Sequence, residues 1–576
     1  MAHIPPLLSV PTAVLPLTVL ARASNAHVMQ ASILAGVLFH FQVARPEVEF
    51  ERSMVQFIRL CSLLSGVDFL ASVLLVHRSV LVAAFRLCAA LGGFTIGLTT
   101  SLVVYRFFLH RCRRFPGPVL AKLTRFHAAY LNAQEEQFYE KLGDMHQKYG
   151  DFVRVGPREI SILDPAAIPI LYGPGTQCRK AAFYTISGSH DDITNLNGIR
   201  DPAKYRPRRR AWDRGMSMKA LGSYQPRIKA QADELIQQLR MRQSQPVDVS
   251  KWSMFFSFDT MGEVGFGKDF GNMKSGEEHP GIQQMHGHLW MLGVIQAVPW
   301  LASLLSGIPE ADRGIQGFHE VCNGVLAEKQ KLYKPDQEPE DVVSWFLKAV
   351  HEKDPSASPT ALSLADDNRA FIVAGSDTTA NTLANALFYL AKNEQVQHKL
   401  RSQLDEVVSR NDKEWTYTKV KEVSYIDDII NETLRLKPPV MQGMPRETPS
   451  QGVHIAGNYV PGNVIASVPI ILIQRDPRHW KQANDFIPER FGERREEMGT
   501  DDSPWIPFQI GMHGCAGRNL AYMTLRIALS AIVQNFTITF APGETGTKFD
   551  GDFLASFMMV LRPLNLVFTP RSGTSL

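Results

Sequence analysis

Residues 508–517 read Phe-Gln-Ile-Gly-Met-His-Gly-Cys-Ala-Gly, and an apolar helical pattern from Arg518 to Asn535 follows them directly. Cys515 therefore lies in a glycine-rich loop just before a helix. Unpaired backbone N–H groups and the positive end of the helix dipole lower the pKa of a thiol in such a place. The glycines also let the backbone approach a flat ligand closely. The stretch predicts a thiolate that is presented from a loop.

Two interpretations of Cys515 are open from the loop alone. A thiolate beside a flat ligand is suited to axial ligation of haem iron. A lone cysteine before a helix is more often a small buried apolar residue. The spacing of Phe508, Gly511, His513, Cys515 and Gly517 decides between them, because it resembles the haem-binding loop of the cytochrome P-450 superfamily, the haem-thiolate monooxygenases.

This resemblance implies a mainly α fold with small β-sheets, the cytochrome P-450 fold, and a b-type haem whose iron is bound by Cys515. Phe508, Gly511, His513 and Gly517 are then expected to contact the cofactor. The family usually has arginine in place of His513, where it contacts a haem propionate. Histidine can make the same contact, and iron ligation by Cys515 does not depend on it.

The bulk composition excludes some classes of protein. The 61 basic and 57 acidic residues nearly balance, so the charge predicts no nucleic-acid partner. The 6 cysteines lie far apart in a chain of 576 residues and do not resemble a disulfide framework or a zinc site. We therefore expect the main body to lie on a reducing, cytosolic side of a membrane.

Residues 1–110 are expected to form a membrane segment with one to three transmembrane helices. Their apolar runs cover about 28–44, 60–76 and 80–105. A helix needs roughly 20 apolar residues to cross a bilayer, and the third run meets this length. The first two are shorter and contain His40, Gln42 or Asp68, so each could instead be an interfacial or partly buried helix.

A basic and proline-rich hinge is predicted at 111–118, where Pro116 and Pro118 prevent helix continuation. The arginines at its start place the end of the third run in the cytosol, and three spans would put the N-terminus in the lumen. The resemblance to microsomal family members implies the endoplasmic reticulum membrane with a cytosolic catalytic domain at 119–576. Short strands are expected near 152–163, 453–468 and 536–568.

Residues 204–214 are the densest basic run, and a solvated helical face would explain it. By resemblance, this helix lies against the haem. Tyr205 and Arg209 have the spacing at which the arginine contacts a propionate. The remaining basic residues there are expected to face outward and attract an acidic electron-donating protein.

A long helix is predicted from about Leu364 to Asn393, although Gly375, Thr378 and Thr379 in its middle are poor helix formers. A helix kinked by threonine hydroxyls that bond to its own backbone would explain this pattern. The stretch also resembles the oxygen-activation motif of the family. Asp377 and Thr378 are then expected to relay protons during catalysis, and Gly375 to leave room for dioxygen.

Glu432 and Arg435 lie at i and i+3 on one helix face, where an ordinary surface ion pair is the usual explanation. The resemblance implies a different role. Together with Arg490 they would form a buried structural network that supports the cysteine loop. Arg446 is expected to be a second residue that contacts a haem propionate, and residues 440–444 are expected to border the substrate pocket.

Two further segments correspond to parts of the family that cover the pocket. The first is the apolar set of lid residues Trp290, Met291, Leu292, Val294, Ile295, Trp300 and Leu301. The second is a hairpin tip at 551–557. The sequence does not indicate which of these side chains contact substrate.

The resemblance implies an oxygenase that inserts oxygen into a C–H or C=C bond of an apolar molecule, with a finer likeness to fungal microsomal members of secondary metabolism. No glycine-rich flavin or nicotinamide motif is found. Electrons are therefore expected from a separate NADPH-dependent flavoprotein reductase, with O2 as co-substrate. A haem-thiolate enzyme that desaturates, rearranges or ring-expands its substrate is the alternative, and a non-catalytic membrane haem protein is a remote one.

Overall fold

The structure is a computed structural model, and it describes residues 23–43, 50–135, 137–187, 192–285, 293, 297–298, 301, 313–407, 415–555 and 558–571. The chain divides into two compact units. One comprises Met1–Arg114 with Lys122–Thr124, and the other comprises Phe115–Ala121 with Arg125–Leu576. Most described residues are helical and the sheets are small, which confirms the predicted fold class.

The described part of the first unit contains three long helices. They are α1 (Asn25–Val43), α2 (Phe50–Leu74) and α3 (Val80–Val104), and a π-helical turn at Tyr105–Leu109 extends α3. Within the described residues, two segments are long and apolar enough to cross a membrane, Gln56–Leu74 and Val80–Leu109.

Glycines bring α1 and α3 into close contact. A Cβ at Gly36 would overlap the carbonyl of Phe94, and a Cβ at Gly97 would overlap the carbonyl of Ile33. Such small residues allow helix backbones to approach in an apolar medium. His40 of α1, which is 1% exposed, bonds through Nδ1 to Ser101 Oγ of α3 at 2.7 Å. Nδ1 of the histidine that interrupts the first apolar run is therefore hydrogen-bonded between two helices.

The second unit is built mainly from helices. In chain order they are α4 (Val119–Leu123), α5 (Phe126–Glu135), α6 (Phe138–Tyr149), α7 (Ala167–Tyr172), α8 (Pro202–Gly215), α9 (Met218–Met241), α10 (Val249–Phe266), α11 (Asn272–Ser275), α12 (Arg313–Leu332), α13 (Val342–His351), α14 (Ala361–Lys392), α15 (Glu394–Val407), α16 (Tyr417–Glu422), α17 (Ser424–Leu436), α18 (Ile470–Ile473), α19 (Arg495–Met498), α20 (Arg518–Asn535) and α21 (Thr547–Gly551). Short 3-10 turns occur at 182–187, 488–491, 500–502 and 511–513.

The strands are short and form four sheets among the described residues. They are β1 (Phe152–Gly156), β2 (Glu159–Ile162), β3 (Arg179–Lys180), β4 (Pro246–Asp248), β5 (Arg446–Glu447), β6 (Val453–Ile455), β7 (Asn458–Val460), β8 (Ile465–Ser467), β9 (Phe536–Phe540), β10 (Leu554–Ala555), β11 (Met559–Val560) and β12 (Asn565–Pro570). All three predicted strand regions are confirmed.

The sheet order is β1-β2-β8-β5-β3 in the largest sheet and β4-β12-β9 in the next, with hairpins β6-β7 and β10-β11. Only β2 and β8 pair in parallel among these strands. The pairing of β5 with β3 places Arg446 opposite Lys180. This contact joins segments that lie far apart in the sequence, and it supplies two cations to one place.

Helix α14 is the central element of the core. Thr360 and Ser363 form a reciprocal capping box at its start, which satisfies N–H groups that have no partner within the helix. Its glycine and threonines do not interrupt it, because it packs closely against α10 and also contacts α17 and α20. Tertiary burial outweighs the weak local helix propensity here.

Candidate active site

The cysteine loop is closed by its own backbone. The N–H of Cys515 donates to the carbonyl of Phe508 at 2.9 Å, and the N–H of Gly514 donates to the carbonyl of Gly511 at 3.0 Å. Gly511 has a φ of +68°, and a Cβ there would overlap the carbonyl of Tyr172. Gly511 is thus required by the backbone conformation and by close packing against α7.

Two other predicted contact residues flank the loop. The Phe508 ring packs against Tyr522 with centroids 5.5 Å apart, and the Arg518 guanidinium lies 5.7 Å from the Phe508 ring centroid. A Cβ at Gly517 would meet no described atom within 4 Å, so Gly517 leaves open space next to Cys515. The predicted role of both residues in contacting a cofactor stays a prediction.

The Cys515 side chain is exposed, yet protein atoms surround it closely. An exposed atom with many neighbours faces into a cleft. Burial raises the pKa of the thiol, while the backbone N–H groups of Gly517 and Arg518 and the charge of Arg209 act to lower it. The predicted lowering of the pKa is therefore wrong for the free thiol, because desolvation in the cleft outweighs the helix terminus. Coordination to a metal ion removes the proton of such a thiol.

A cluster of cations surrounds His513. Burial lowers the pKa of this imidazole well below its usual range, and the nearby charges of Lys180, Arg446 and Arg209 lower it further. The ring packs edge-to-face on Tyr205, with centroids 4.4 Å apart. His513 Nδ1 is buried and has no hydrogen-bond partner within the described part of the chain. The imidazole is therefore neutral and has one ring nitrogen available to a ligand.

Arg209 connects helix α8 to the cysteine loop. Its Nη1 donates to Tyr205 Oη at 3.1 Å and to the carbonyl of Gly514 at 2.8 Å, and its Nε donates to Asp213 at 2.7 Å. The structure thus brings the predicted pair Tyr205 and Arg209 next to Cys515.

The neighbours of Arg209 do not all face solvent as predicted. Arg208 is 5% exposed and forms an ion pair with Asp367 of α14. Arg206 and Arg210 are exposed. The expectation that all remaining basic residues of this helix face outward is wrong for Arg208, because a helix this close to the core must turn one side inward.

Arg446 completes the cluster from strand β5. Its side chain is 2% exposed, its Nη1 donates to Tyr184 Oη at 2.9 Å, and its guanidinium lies 5.1 Å from the Tyr172 ring centroid. Its Nε is buried without a partner among the residues that the structure describes. A charged donor of this kind is costly to bury unless a ligand accepts from it.

Lys180 and Tyr184 were missed by the sequence analysis. Lys180 Nζ donates to the carbonyl of Asn197 at 2.7 Å and lies 4.6 Å from the Tyr205 ring centroid. Its place beside His513 follows from the pairing of β3 with β5. Strands of two residues leave no alternating pattern of apolar residues in the sequence. The sequence therefore carried no signal for the pairing of β3 with β5 that places Lys180 here.

These observations test whether the site fits a haem. The cleft offers a thiol, three cations and two unpartnered buried nitrogens, on His513 and Arg446. A haem carries an iron that accepts a thiolate. Its two propionates are anions that would pair with Lys180, Arg209 and Arg446. The residues present therefore fit a thiolate-ligated haem.

Helix α14 presents the predicted acid and alcohol. Asp377 is 2% exposed, and its Oδ2 accepts from Asn381 Nδ2 at 3.1 Å. Thr378 is half-buried, and its hydroxyl donates to the carbonyl of Ala374 at 2.7 Å. This bond is the threonine back-bonding that was considered as an alternative, yet the helix is continuous from Ala361 to Lys392. Proton relay by the pair stays a prediction.

Gly375 does not leave space for a small ligand. A Cβ there would overlap Sδ of Met261 on α10. Gly265 of α10 meets the Phe371 ring in the same close way, and Ser257 Oγ donates to the carbonyl of Ser376 at 2.6 Å. The expectation that Gly375 makes room for dioxygen is wrong, because the gap is filled by the neighbouring helix.

Glu432, Arg435 and Arg490 form one fully buried network. Arg435 Nε donates to Glu432 Oε2 at 2.7 Å, and Arg490 Nε donates to Glu432 Oε1 at 2.9 Å. Both arginines also donate to backbone carbonyls: Arg435 to that of Gln474 and Arg490 to that of Lys481. These contacts exclude an ordinary surface ion pair. They satisfy the buried charges, which would otherwise be costly.

A side chain connects this network toward the cysteine loop. Gln474 donates through Nε2 to the carbonyl of Leu434 at 3.0 Å, and its Oε1 accepts from the N–H of Ile506 at 2.9 Å. Ile506 precedes the loop by two residues. Support of the loop by the network stays a prediction, and these bonds are its physical route.

The two segments expected to cover the pocket are described in part. Of the lid residues, Trp290, Met291, Leu292, Val294, Ile295 and Trp300 lie outside the described residues. The tip near 551–557 belongs to the hairpin β10-β11, and Ser556 and Phe557 also lie outside them. Val440 and Met444 line a cavity in the second unit.

Comparison with known proteins gives consistent results. A family model described as cytochrome P450 matches residues 116–568. The cytochrome P450 monooxygenase orf5 of Eupenicillium brefeldianum is 38% identical over 476 residues, which cover 83% of this chain and 95% of that protein. The monooxygenase FCK2 of Fusarium pseudograminearum is 33% identical over 83% of this chain and 85% of its own. The tryprostatin B 6-hydroxylase of Aspergillus fumigatus is 30% identical over 83% of this chain and 84% of its own.

Proposed function

The chain belongs to the cytochrome P450 family of monooxygenases, and on this basis we propose that it is a membrane-bound enzyme that hydroxylates or epoxidises an apolar small molecule in fungal secondary metabolism. The observation that carries the proposal is the cleft in which the Cys515 thiol lies on the same loop as His513, within the cluster of Lys180, Arg209 and Arg446. The names of the fungal relatives, one of which is a hydroxylase, support the reaction class.

Cys515 would bind the haem iron from the loop before α20. Arg209, Arg446 and Lys180 would pair with the propionates, and His513 would donate or accept through its unpartnered Nδ1. When bound, a thiolate-ligated haem supplies the activation of dioxygen for transfer of one oxygen atom to the substrate. The closed backbone of residues 508–515 would hold the sulfur in place.

Asp377 and Thr378 would deliver protons to the reaction. The buried Asp377 lines a cavity together with Ser250, Lys251 and Glu278, so protons can reach it from polar side chains. Asn381 holds the carboxylate through a hydrogen bond. The half-buried Thr378 hydroxyl would pass a proton onward after release from the Ala374 carbonyl.

Electrons would come from an NADPH-dependent flavoprotein reductase. The exposed Arg206 and Arg210 lie on the helix whose Arg209 contacts the cysteine loop. Exposed positive charge of this kind attracts an acidic partner. The long apolar helices of the first unit support a membrane location, for which we propose the endoplasmic reticulum with the second unit in the cytosol.

The reduced, carbon monoxide-bound spectrum of membranes that contain the full chain tests the central assignment. We expect a strongly red-shifted Soret band in the wild type and its loss in Cys515→Ser. Cys322→Ser is the matched control, because Cys322 is a buried free cysteine of α12 rather than of the cysteine loop, and the variant should keep the band. A band that persists in Cys515→Ser would show that Cys515 is not the ligand.

A further inference from the structure

A largely apolar cavity of about 130 Å³ lies next to the cation cluster. Its wall includes Phe138, Ile160, Phe183 and Val440. Ala181 and Pro445, which also line it, are the chain neighbours of Lys180 and Arg446. The cavity therefore borders the place where we expect the haem propionates. Small-molecule sites are typically apolar with a few well-placed polar groups.

Asn132 and Gln442 each place on this wall a polar atom that has no hydrogen-bond partner among the described residues. Asn132 is 7% exposed, and its Oδ1 is buried without a hydrogen bond to any described residue. Gln442 Nε2 is buried and likewise lacks an acceptor within the described ranges. Both residues line the cavity. Buried polar groups are nearly always hydrogen-bonded to protein, water or a ligand, so an unpartnered acceptor and an unpartnered donor in one cavity are available to a polar ligand.

Other polar groups of the wall are engaged with each other or with neighbouring side chains. Ser161 Oγ is bonded to His146 Nε2 at 2.8 Å, and Glu159 forms an ion pair with Arg125. The wall therefore offers no uncompensated charge to an ionic ligand. It offers one acceptor and one donor on separate side chains to a neutral ligand that carries both functions.

We propose that this cavity binds a secondary amide of the substrate. The amide N–H would donate to Asn132 Oδ1, and the amide carbonyl would accept from Gln442 Nε2. A carboxylate would only accept and would leave Asn132 unsatisfied, and a hydroxyl would have to serve both side chains from one oxygen. The inference rests on the proposed function, because it names the substrate class of that same enzyme as apolar molecules with a secondary amide.

The test uses the full-length holoenzyme in membranes and two probes, N-hexylbenzamide and its N-methyl derivative, which lacks the amide N–H. Binding is followed by the ligand-induced shift of the Soret band. In the wild type we expect the secondary amide to bind about tenfold more tightly than the N-methyl amide, because the latter leaves Asn132 unpaired. Equal affinities, or no shift with the secondary amide, would overturn the proposal.

Two near-isosteric variants assign the roles. Asn132→Leu should remove the difference in affinity between the two amides. Gln442→Met should weaken the binding of both amides by a similar factor, so that the ratio of their affinities stays the same. Gln451→Met is the control, because Gln451 is exposed and bonds to Gln177 outside this cavity. Discrimination that persists in Asn132→Leu would contradict the assigned acceptor.

The carbon monoxide spectrum of each sample separates this inference from the proposed function. A protein that shows the red-shifted band but does not distinguish the amides contradicts the inference alone. A wild type without the band contradicts the proposed function, and this inference fails with it. A variant that lacks the band has not folded around haem. In that case the affinities of the wild type for the two probes decide whether the amide N–H is recognised.

Discussion

At the scale of single residues, the site depends on side chains whose surroundings differ from those of typical surface groups. Burial lowers the pKa of His513, and the charges of three nearby cations lower it further. Arg446 and His513 each keep one unpartnered buried nitrogen among the described atoms. Such unsatisfied groups are costly in a folded protein. Their concentration around one cysteine supports a ligand-binding role for the cluster.

Replacement of Thr378 by alanine tests the proton relay. We expect product formed per NADPH to fall about tenfold or more, as is typical when a proton-transfer group is lost. Peroxide should account for the difference, and the carbon monoxide band should remain. The measurement compares product, peroxide and NADPH in the reconstituted system.

Thr382→Ala is the matched control for Thr378→Ala. Thr382 makes the same kind of bond, from its hydroxyl to the Thr378 carbonyl at 2.8 Å, but it is 2% exposed. Its loss should leave the ratio of product to NADPH unchanged. Equal uncoupling in both variants would show that helix geometry, rather than the Thr378 hydroxyl, controls the reaction.

A second residue-scale prediction concerns Asp428, whose pKa is raised to about 7 by burial first and then by the charges of Asp427 and Glu489. Between about pH 4 and 7 the folded state holds this proton more tightly than the unfolded state. The free energy of unfolding therefore decreases as the pH rises through this window. Asp428→Asn should raise the melting temperature at pH 8 by roughly 2 °C or more.

The gain from Asp428→Asn should shrink as the pH falls toward 5, where the wild-type carboxyl is protonated. Asp476→Asn is the control, since hydrogen bonds from Arg478 outweigh burial and lower the pKa of Asp476. Its effect on the melting temperature should not vary between pH 5 and 8. A gain from Asp428→Asn that is independent of pH would contradict the raised pKa.

At the scale of elements, α10 and α14 pack at unusually close range. Gly265 faces the Phe371 ring, Gly375 faces Met261, and Ser257 donates to the α14 backbone. This contact holds the acid and alcohol of α14 in a fixed position. It also explains why a glycine occurs in the middle of a buried helix, where it lowers helix propensity.

Gly375→Ala should destabilise the protein by about 1–3 kcal/mol, which is typical of overpacking. Met261→Ala in the same chain should recover part of this loss, because it removes the atom that the new methyl group meets. Gly324→Ala serves as control. A Cβ at this exposed helical position meets no described atom within 4 Å, so alanine should be neutral or stabilising. The measurement is thermal unfolding of Gly375→Ala, Met261→Ala, their double variant and Gly324→Ala. A lack of coupling between positions 261 and 375 would argue against this packing.

At the scale of the whole molecule, the first unit bears on membrane topology. Within its described residues, two segments are long and apolar enough to span a bilayer. The remaining helix, α1, packs along α3 through glycines and buries His40 against Ser101. A helix that contacts a spanning helix over this length lies at the same depth, so we propose three spans.

Three spans with a cytosolic second unit place the N-terminus in the lumen. A glycosylation acceptor tag fused before Met1 should therefore be glycosylated in microsomes, and the same tag after Leu576 should not. An unmodified N-terminal tag that is accessible to protease from the cytosol would indicate two spans. Alkaline extraction, which should leave the full chain in the membrane fraction, checks that the protein is inserted.

The sequence by itself determined the strand regions and the place of Cys515 before α20, because these depend on local periodicity, turns and caps. It determined the mainly helical fold class through the resemblance of its motifs to a known family. It also placed Asp377 and Thr378 on one helix and Glu432 next to Arg435 in the chain. Only the tertiary structure decided that Lys180 lies opposite Arg446, that Met261 fills the gap at Gly375 and that Arg208 turns inward. It alone brought Asn132 and Gln442 into one cavity. These pairs join distant segments, and their contacts depend on how helices and short strands pack, which no local pattern encodes.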